Sequence, residues 1–379
     1  MNDPNQISAA RDKLLFTPGP LTTSLSVKQA MLHDAGSWHW EFNNLVGQLR
    51  QELLQQAGLS REKGFELVFM QGSGSFGVEA MLGSAVPPDG KLLLLANGTY
   101  GERMVAMAEY LKIPSTVIRS SEDQTPDLDE IDRTLESDPA ITHLASVHCE
   151  TTTGLLNPIE KIGQVVKKHQ CIYLVDAMSS FGGMPIDFDE AGIDYLVSSP
   201  NKCFEGVPGF SFIFARRDLL VASEGNARSL CLDLLAQWKC FEGNGQFRYT
   251  PPTHSILAFA QAIREMEEEG GIKARTARYA SNHRALMKGM KRLGFKSYLD
   301  ASVQSDIITS FHFPKDPKFN FQEFYRSLSD KGFIIYPGKI SQADTFRIGS
   351  IGRIFPADID ALLAAIARTI EELDISLQA

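Results

Sequence analysis

The 379-residue sequence has no apolar run near the roughly 20 residues that a membrane-spanning helix requires. Its first stretch, MNDPNQISAARDKLLF, lacks a basic segment followed by an apolar core, so no secretory leader is expected. Cysteine is scarce. The five present, Cys149, Cys171, Cys203, Cys231 and Cys240, are odd in number and show no CxxC or paired Cys/His spacing. That excludes a disulfide framework or a zinc site as the organising device, and reduced thiols in a cytoplasm are the expectation. Positive charge is also short, with 37 Lys and Arg against 46 Asp and Glu, a net charge of -9. A nucleic acid or an anionic membrane needs a basic surface, so neither partner is expected. A small anionic substrate remains open, because a few positive groups suffice for it. There is no internal repeat, no low-complexity segment, and no Pro/Gly/Ser-rich linker to separate domains.

What is present is the balance of a globular protein, 43% hydrophobic and 22% charged, on a chain long enough for two domains in one folded unit. From about residue 65, short apolar runs alternate with helical stretches. ELVFM (66–70), KLLLLAN (91–97), THLASVH (142–148), CIYLVDA (171–177), DYLVSS (194–199) and GFSFIFA (209–215) read as strands. Continuous apolar strands between amphipathic helices indicate an α/β fold with a mostly parallel sheet covered on both faces. Helices dominate from about 254 to 293. A second group follows: IITSFHF (307–313), a helix near 321–331, GFIIYP (332–337), TFRIGS (345–350) and a last helix from about Ala357. It reads as a smaller C-terminal α/β domain. Ligands of such sheets bind beyond the carboxyl ends of the strands, so the loops there carry the interest.

Three of those loops stand out. Gln71-Gly72-Ser73-Gly74-Ser75-Phe76-Gly77 follows the first strand and opens a helix, whose free N–H groups and positive dipole end suit a phosphate. A plain tight bend would use the same residues. Asp176 ends the CIYLVDA strand, where a buried acid needs a positive partner or serves as a helix cap. Lys202, in Pro200-Asn201-Lys202-Cys203, is the only lysine or arginine between Lys168 and Arg216. A loop lysine is most often simply solvated. Following a buried strand, however, such an amine can be desolvated, and a desolvated lysine forms a Schiff base with a cofactor aldehyde. A phosphate cradle, an acid and a lysine, each after a different strand, match the needs of pyridoxal 5'-phosphate (PLP).

With those loops, LLFTPGPLTTS (14–24), NGTYGERM (97–104), VHCETTTGLLNPI (147–159), YTPPTH (249–254) and DTFRIGSIG (344–352) extend the pattern along nearly the whole chain. The chain resembles the class V aminotransferases of PLP fold type I, and within them those acting on 2-aminoethylphosphonate and pyruvate. The resemblance implies a Schiff-base role for Lys202 and pairing of Asp176 with the pyridine nitrogen. It implies phosphate binding by Ser73, Gly74 and Ser75, and an aromatic stacked on the ring at Tyr100. Thr152 contacts the ring face or phenolic oxygen, with Thr151 as the alternative. Thr250 reaches the phosphate from a neighbouring subunit, hence a homodimer with shared active sites. Arg347 binds the substrate's acidic group, and its fork suits a carboxylate or phosphonate. The implied division is an N-terminal segment (1–20), a large PLP-binding domain (21–265) and a small domain (266–379). The 35–46 stretch departs from the family pattern at His39 and Trp40.

The expected reaction converts 2-aminoethylphosphonate and pyruvate to phosphonoacetaldehyde and L-alanine in two half-reactions, a step in phosphonate breakdown. An alanine–glyoxylate or serine–pyruvate type of the same family is the nearest alternative. A PLP lyase or a desulfurase is a weaker fit, because Cys149 and Cys203 sit inside strand-end motifs. A non-catalytic nucleotide-binding module would need an acid at the end of the second strand, where Asn97 stands.

Overall fold

A computed structural model describes residues 12–338, 340 and 343–377; residues 1–11 of the expected N-terminal segment lie outside the described residues. Its centre is a seven-stranded sheet in the spatial order Phe65–Gln71, Phe210–Arg216, Tyr195–Ser198, Ile172–Asp176, Ile141–Val147, Lys91–Ala96 and Ser115–Arg119. Phe210–Arg216 alone runs against the other six. The central strands are buried along nearly their whole length, because helices cover both faces. That burial explains why they read as unbroken apolar runs rather than alternating ones. Such a pattern carries no information on direction, which is why the sequence left the reversal of Phe210–Arg216 open. The edge strand Ser115–Arg119 (STVIR) was not expected; it is short and only partly buried.

With six strands parallel, six carboxyl ends emerge at one edge of the sheet. The loops holding Ser73, Tyr100, Thr152, Asp176 and Lys202 all begin there. Phe210–Arg216 starts at that same edge, so the loop from Ser198 through Lys202 to Gly209 crosses it and returns. Behind this loop Phe181, Phe204, Phe212, Phe214 and Phe259 pack edge to face, with ring centroids 5.1–6.3 Å apart in most pairs.

The second core gathers Phe16, Leu286, Met290, Phe295, Phe311, Phe346 and Ile366. Its antiparallel sheet has Thr345–Gly349 in the middle, between Ile308–His312 and Tyr336–Pro337. The helix Gly271–Leu293 joins the two cores, with Ile272 packed on the first and Leu286 and Met290 inside the second. Phe16, and Leu14 packed against it, belong to this second core although they lie near the start of the chain.

Candidate active site

The cradle comes first. Gly72 has φ +106°, a conformation glycine adopts freely, and it turns the chain from the Phe65–Gln71 strand into the helix Gly74–Ala85. Ser73 is the N-cap residue but makes no side-chain cap bond. The first N–H groups of any helix have no partner inside it, so this end offers donors and a positive dipole to an anion. Gly74 must be small, since a Cβ there would stand 2.4 Å from Met178 Sδ, in the loop after Asp176. The cradle and the acid are thereby packed together.

Asp176 is 4% exposed. Its Oδ1 accepts the Met178 N–H at 2.8 Å. Burial pushes its carboxyl up to about 6; that bond and the nearby cations Arg103 and Lys202 offset only part of the push. A buried carboxyl this poorly compensated fits a cationic partner such as a protonated ring nitrogen.

Lys202 lies half-buried in a tight turn closed by Gly206 N–H to the Pro200 carbonyl (2.8 Å) and Glu205 N–H to the Lys202 carbonyl (2.8 Å). Loss of water pulls its ammonium below the usual lysine value, Arg347 adds to that, and Asp176 opposes it. A neutral amine is thus favoured where a nucleophile or base is needed. From the other side, Arg275 Nη1 (2.8 Å) and the Tyr279 hydroxyl (3.2 Å) donate to the Cys203 carbonyl and pin the turn.

Arg347 enters from the small sheet, cross-strand from Ser310 and Tyr336. It is 1% exposed. Its Nε donates to the Pro337 carbonyl (3.0 Å) and its Nη1 to the Thr151 carbonyl (2.6 Å). Among the described residues no carboxylate is in ion-pair contact with it; the buried Glu150 acts on it only at longer range. Burial lowers its pKa, as expected for a guanidinium in that position. Arg248, two residues before Thr250, donates to the Leu230 carbonyl (2.8 Å) and lies over the Tyr249 ring.

Two groups that the sequence reading passed over hold this edge together. Glu150 is fully buried, and burial raises its pKa. Its carboxylate accepts from Tyr100 N–H (3.2 Å), Gly101 N–H (3.1 Å) and Thr152 N–H (3.2 Å), and from the Thr152 hydroxyl at 2.6 Å. It thus caps the helix Thr99–Tyr110, whose own N-cap, Gly98, has no side chain. A Cβ on Gly98 would stand 2.4 Å from Glu150 Cγ. Thr152 Oγ1 also accepts from Thr99 N–H at 2.8 Å, so its proton is committed to Glu150. Arg103, one turn beyond Tyr100, lays its guanidinium 4.7 Å from the Tyr100 ring centre and donates to Ser75 Oγ at 3.1 Å. The i, i+3 spacing of Tyr100 and Arg103 was a sequence signal for that shared face. For Glu150 the only signal was an acid in a strand-end loop. Thr250 is exposed, at the rim, with its carbonyl near the Gln71 side-chain amide.

The family model for "Aminotransferase class-V" matches residues 27–348. The chain is 53% identical over 359 residues to the 2-aminoethylphosphonate–pyruvate transaminase of Salmonella paratyphi C, covering 94% of this chain and 97% of that one. The Salmonella gallinarum protein of the same name is 52% identical over the same span. This chain belongs to the class V aminotransferase family. It is therefore a PLP-dependent aminotransferase, as the loops led us to expect. Among solved structures, the pyridoxamine–pyruvate aminotransferase of Mesorhizobium loti is similar in fold, with TM-score 0.87, 23% identity, and 97% and 94% of the two chains covered. The alanine–glyoxylate aminotransferase of Nostoc sp. has TM-score 0.87 at 24% identity, with 98% and 97% covered. For a class V member, the uncapped cradle, the poorly compensated Asp176 and the half-buried Lys202 together fit PLP.

Proposed function

We propose that the chain moves an amino group from 2-aminoethylphosphonate to pyruvate, giving phosphonoacetaldehyde and L-alanine. The observation that carries the substrate is the 53% identity, end to end, with proteins named for that reaction. Bound PLP supplies an aldehyde that takes up the amine and an electron-poor ring that stabilises negative charge on the neighbouring carbon. The helix end at Ser73, Gly74 and Ser75 holds the phosphate, and Asp176 keeps the ring nitrogen protonated. Tyr100 covers one ring face. Because the Thr152 proton is committed to Glu150, Thr151 is the donor we assign to the phenolic oxygen.

Lys202 Nζ is the anchoring amine. Once released, it takes the proton from the amine-bearing carbon of the substrate and later gives one back. Its pKa, lowered by burial, makes the amine easier to deprotonate than an ordinary lysine. Arg347 holds the phosphonate in one half-reaction and the carboxylate of pyruvate in the other. A guanidinium fork accepts both planar and tetrahedral oxyanions. Thr250 completes the phosphate site of a second copy, so the working unit is a homodimer. We place it in the cytoplasm, in keeping with five free cysteines.

A panel of amino donors against pyruvate tests the assignment. 2-Aminoethylphosphonate should far exceed serine and alanine. Arg347→Ala should slow both half-reactions by about 100-fold or more, as loss of a buried charge-assisted contact of roughly 3 kcal/mol requires. Alanine with glyoxylate as the better pair would overturn the substrate while leaving the family intact.

A further inference from the structure

Residues 14–22 form a strap on the small sheet. Leu14–Leu15 pair in parallel with Phe333–Ile334. Phe16 N–H donates to the Ile334 carbonyl (2.8 Å), and the Phe16 carbonyl accepts from Gly349 N–H (2.9 Å), two residues from Arg347. The Thr22 carbonyl accepts from Arg353 N–H (2.8 Å), and the Thr22 hydroxyl accepts from Leu15 N–H (2.8 Å). The Thr17 hydroxyl donates to the Pro20 carbonyl and closes the turn between. The strap is thus tied at one end to Phe333–Ile334, at Phe16 to the end of the strand that carries Arg347, and at Thr22 to Arg353 just beyond it.

Gly19 stands at its apex. A Cβ there would lie 2.5 Å from Lys202 Cδ, 3.0 Å from Lys202 Cε and 2.9 Å from the Asn201 carbonyl oxygen. Gly19 also has φ +119°, where side chains are strained. The methylene stem of Lys202 therefore lies flat on the backbone of Gly19. A free lysine stem has four flexible bonds, and this wall removes part of that freedom.

We propose that Gly19 is a positioning residue for Lys202, and that the strap fixes Nζ relative to the strand bearing Arg347. The site for the acidic group and the proton-moving amine are held in register by the stretch from Phe16 to Gly19, where the two cores meet. This rests on the reading of Lys202 as the reactive amine.

The test uses the full chain loaded with PLP, as wild type and as Gly19→Ala. Borohydride reduction and peptide mapping come first. A label away from Lys202 overturns the Lys202 reading and this proposal with it. With Lys202 labelled, the absorbance of the bound cofactor is titrated against pH. Gly19→Ala should move the midpoint by about half a unit or more, roughly a threefold change in the ratio of the two forms. It should lower kcat about 10- to 100-fold, as for a displacement of about 1 Å, with KM for the acidic substrates within about threefold. An unmoved midpoint, with kcat kept or lost, overturns the proposal and leaves Lys202 as the reactive amine. If circular dichroism shows Gly19→Ala unfolded, Thr17→Val loosens the strap without adding an atom near the lysine. The midpoint should then move in the same sense by a smaller amount, and no shift there overturns the proposal.

Discussion

At the scale of single residues, the site gathers buried charges that are only partly compensated, and each makes a measurable claim. Lys202→Ala should keep a fraction of the PLP affinity, because the cradle and Asp176 remain, and should lose turnover by at least about 10⁴-fold, since anchoring and proton transfer share one amine. A rate near wild type would move the catalytic amine elsewhere. Asp176 gives a pH test. Its carboxyl sits at about 6 in the fold, against 3.8 ordinarily. The folded, cofactor-free chain therefore binds more protons than the unfolded one in that window. The stability this group contributes is present below about pH 4 and is lost as pH rises through about 6, by at most roughly 3 kcal/mol. Asp176→Asn retains the Met178 contact without the charge, so without cofactor it should gain on wild type as pH rises from about 4 to 6.5. With PLP bound the sign reverses, because the carboxylate then has its cation. Denaturant titrations of both proteins across that range would show the crossing difference, and a flat difference would mean that Asp176 already has a strong partner.

At the scale of elements, the helix Thr99–Tyr110 depends on a residue 50 positions away in sequence. Glu150 supplies the cap that Gly98 lacks, and it fixes Tyr100 and Thr152 with the same carboxylate. Glu150→Ala leaves two helix N–H groups and a buried hydroxyl without an acceptor. A loss of about 2–4 kcal/mol in stability is expected, summing a cap and an unsatisfied buried group. PLP binding should weaken with it, because Tyr100 loses its register. A variant as stable as wild type would mean that water replaces the carboxylate. The strands themselves were legible, because continuous apolar runs bounded by loops leave few readings. The direction of Phe210–Arg216, the edge strand Ser115–Arg119 and the bracing by Glu150 were not, because pairing partners are set by folding rather than by local pattern.

At the scale of the whole molecule, Leu32, Trp38, Trp40 and Phe76 are more than half exposed in the single chain. A second copy seated on these residues would take that apolar surface out of water. They include the His39–Trp40 stretch that departs from the family pattern. If a second copy covers it and Thr250 serves the partner's cradle, Lys202→Ala and Thr250→Ala subunits complement each other. Lys202 from one chain and Thr250 from the other then rebuild one intact site in each mixed dimer. Unfolding and refolding the two variants together should restore about a quarter of wild-type activity, since half the dimers are mixed and each carries one good site. No recovery above the separate variants would mean that each chain completes its own site.

The sequence by itself determined the α/β class, the loops of interest and most of the chemistry. Glycine-rich turns, a strand-end acid and an isolated lysine are local features whose meaning survives without coordinates, and the wider pattern pointed to the family. Tertiary structure alone decided what surrounds them. It put Arg347, an ordinary residue in an ordinary strand by pattern, into a buried place where no described carboxylate is in ion-pair contact with it. It committed the Thr152 proton to Glu150. It laid Gly19 against the stem of Lys202 across 183 positions of sequence. Those contacts follow from how two cores dock, and docking depends on shape and burial summed over many residues, which no short window of sequence contains.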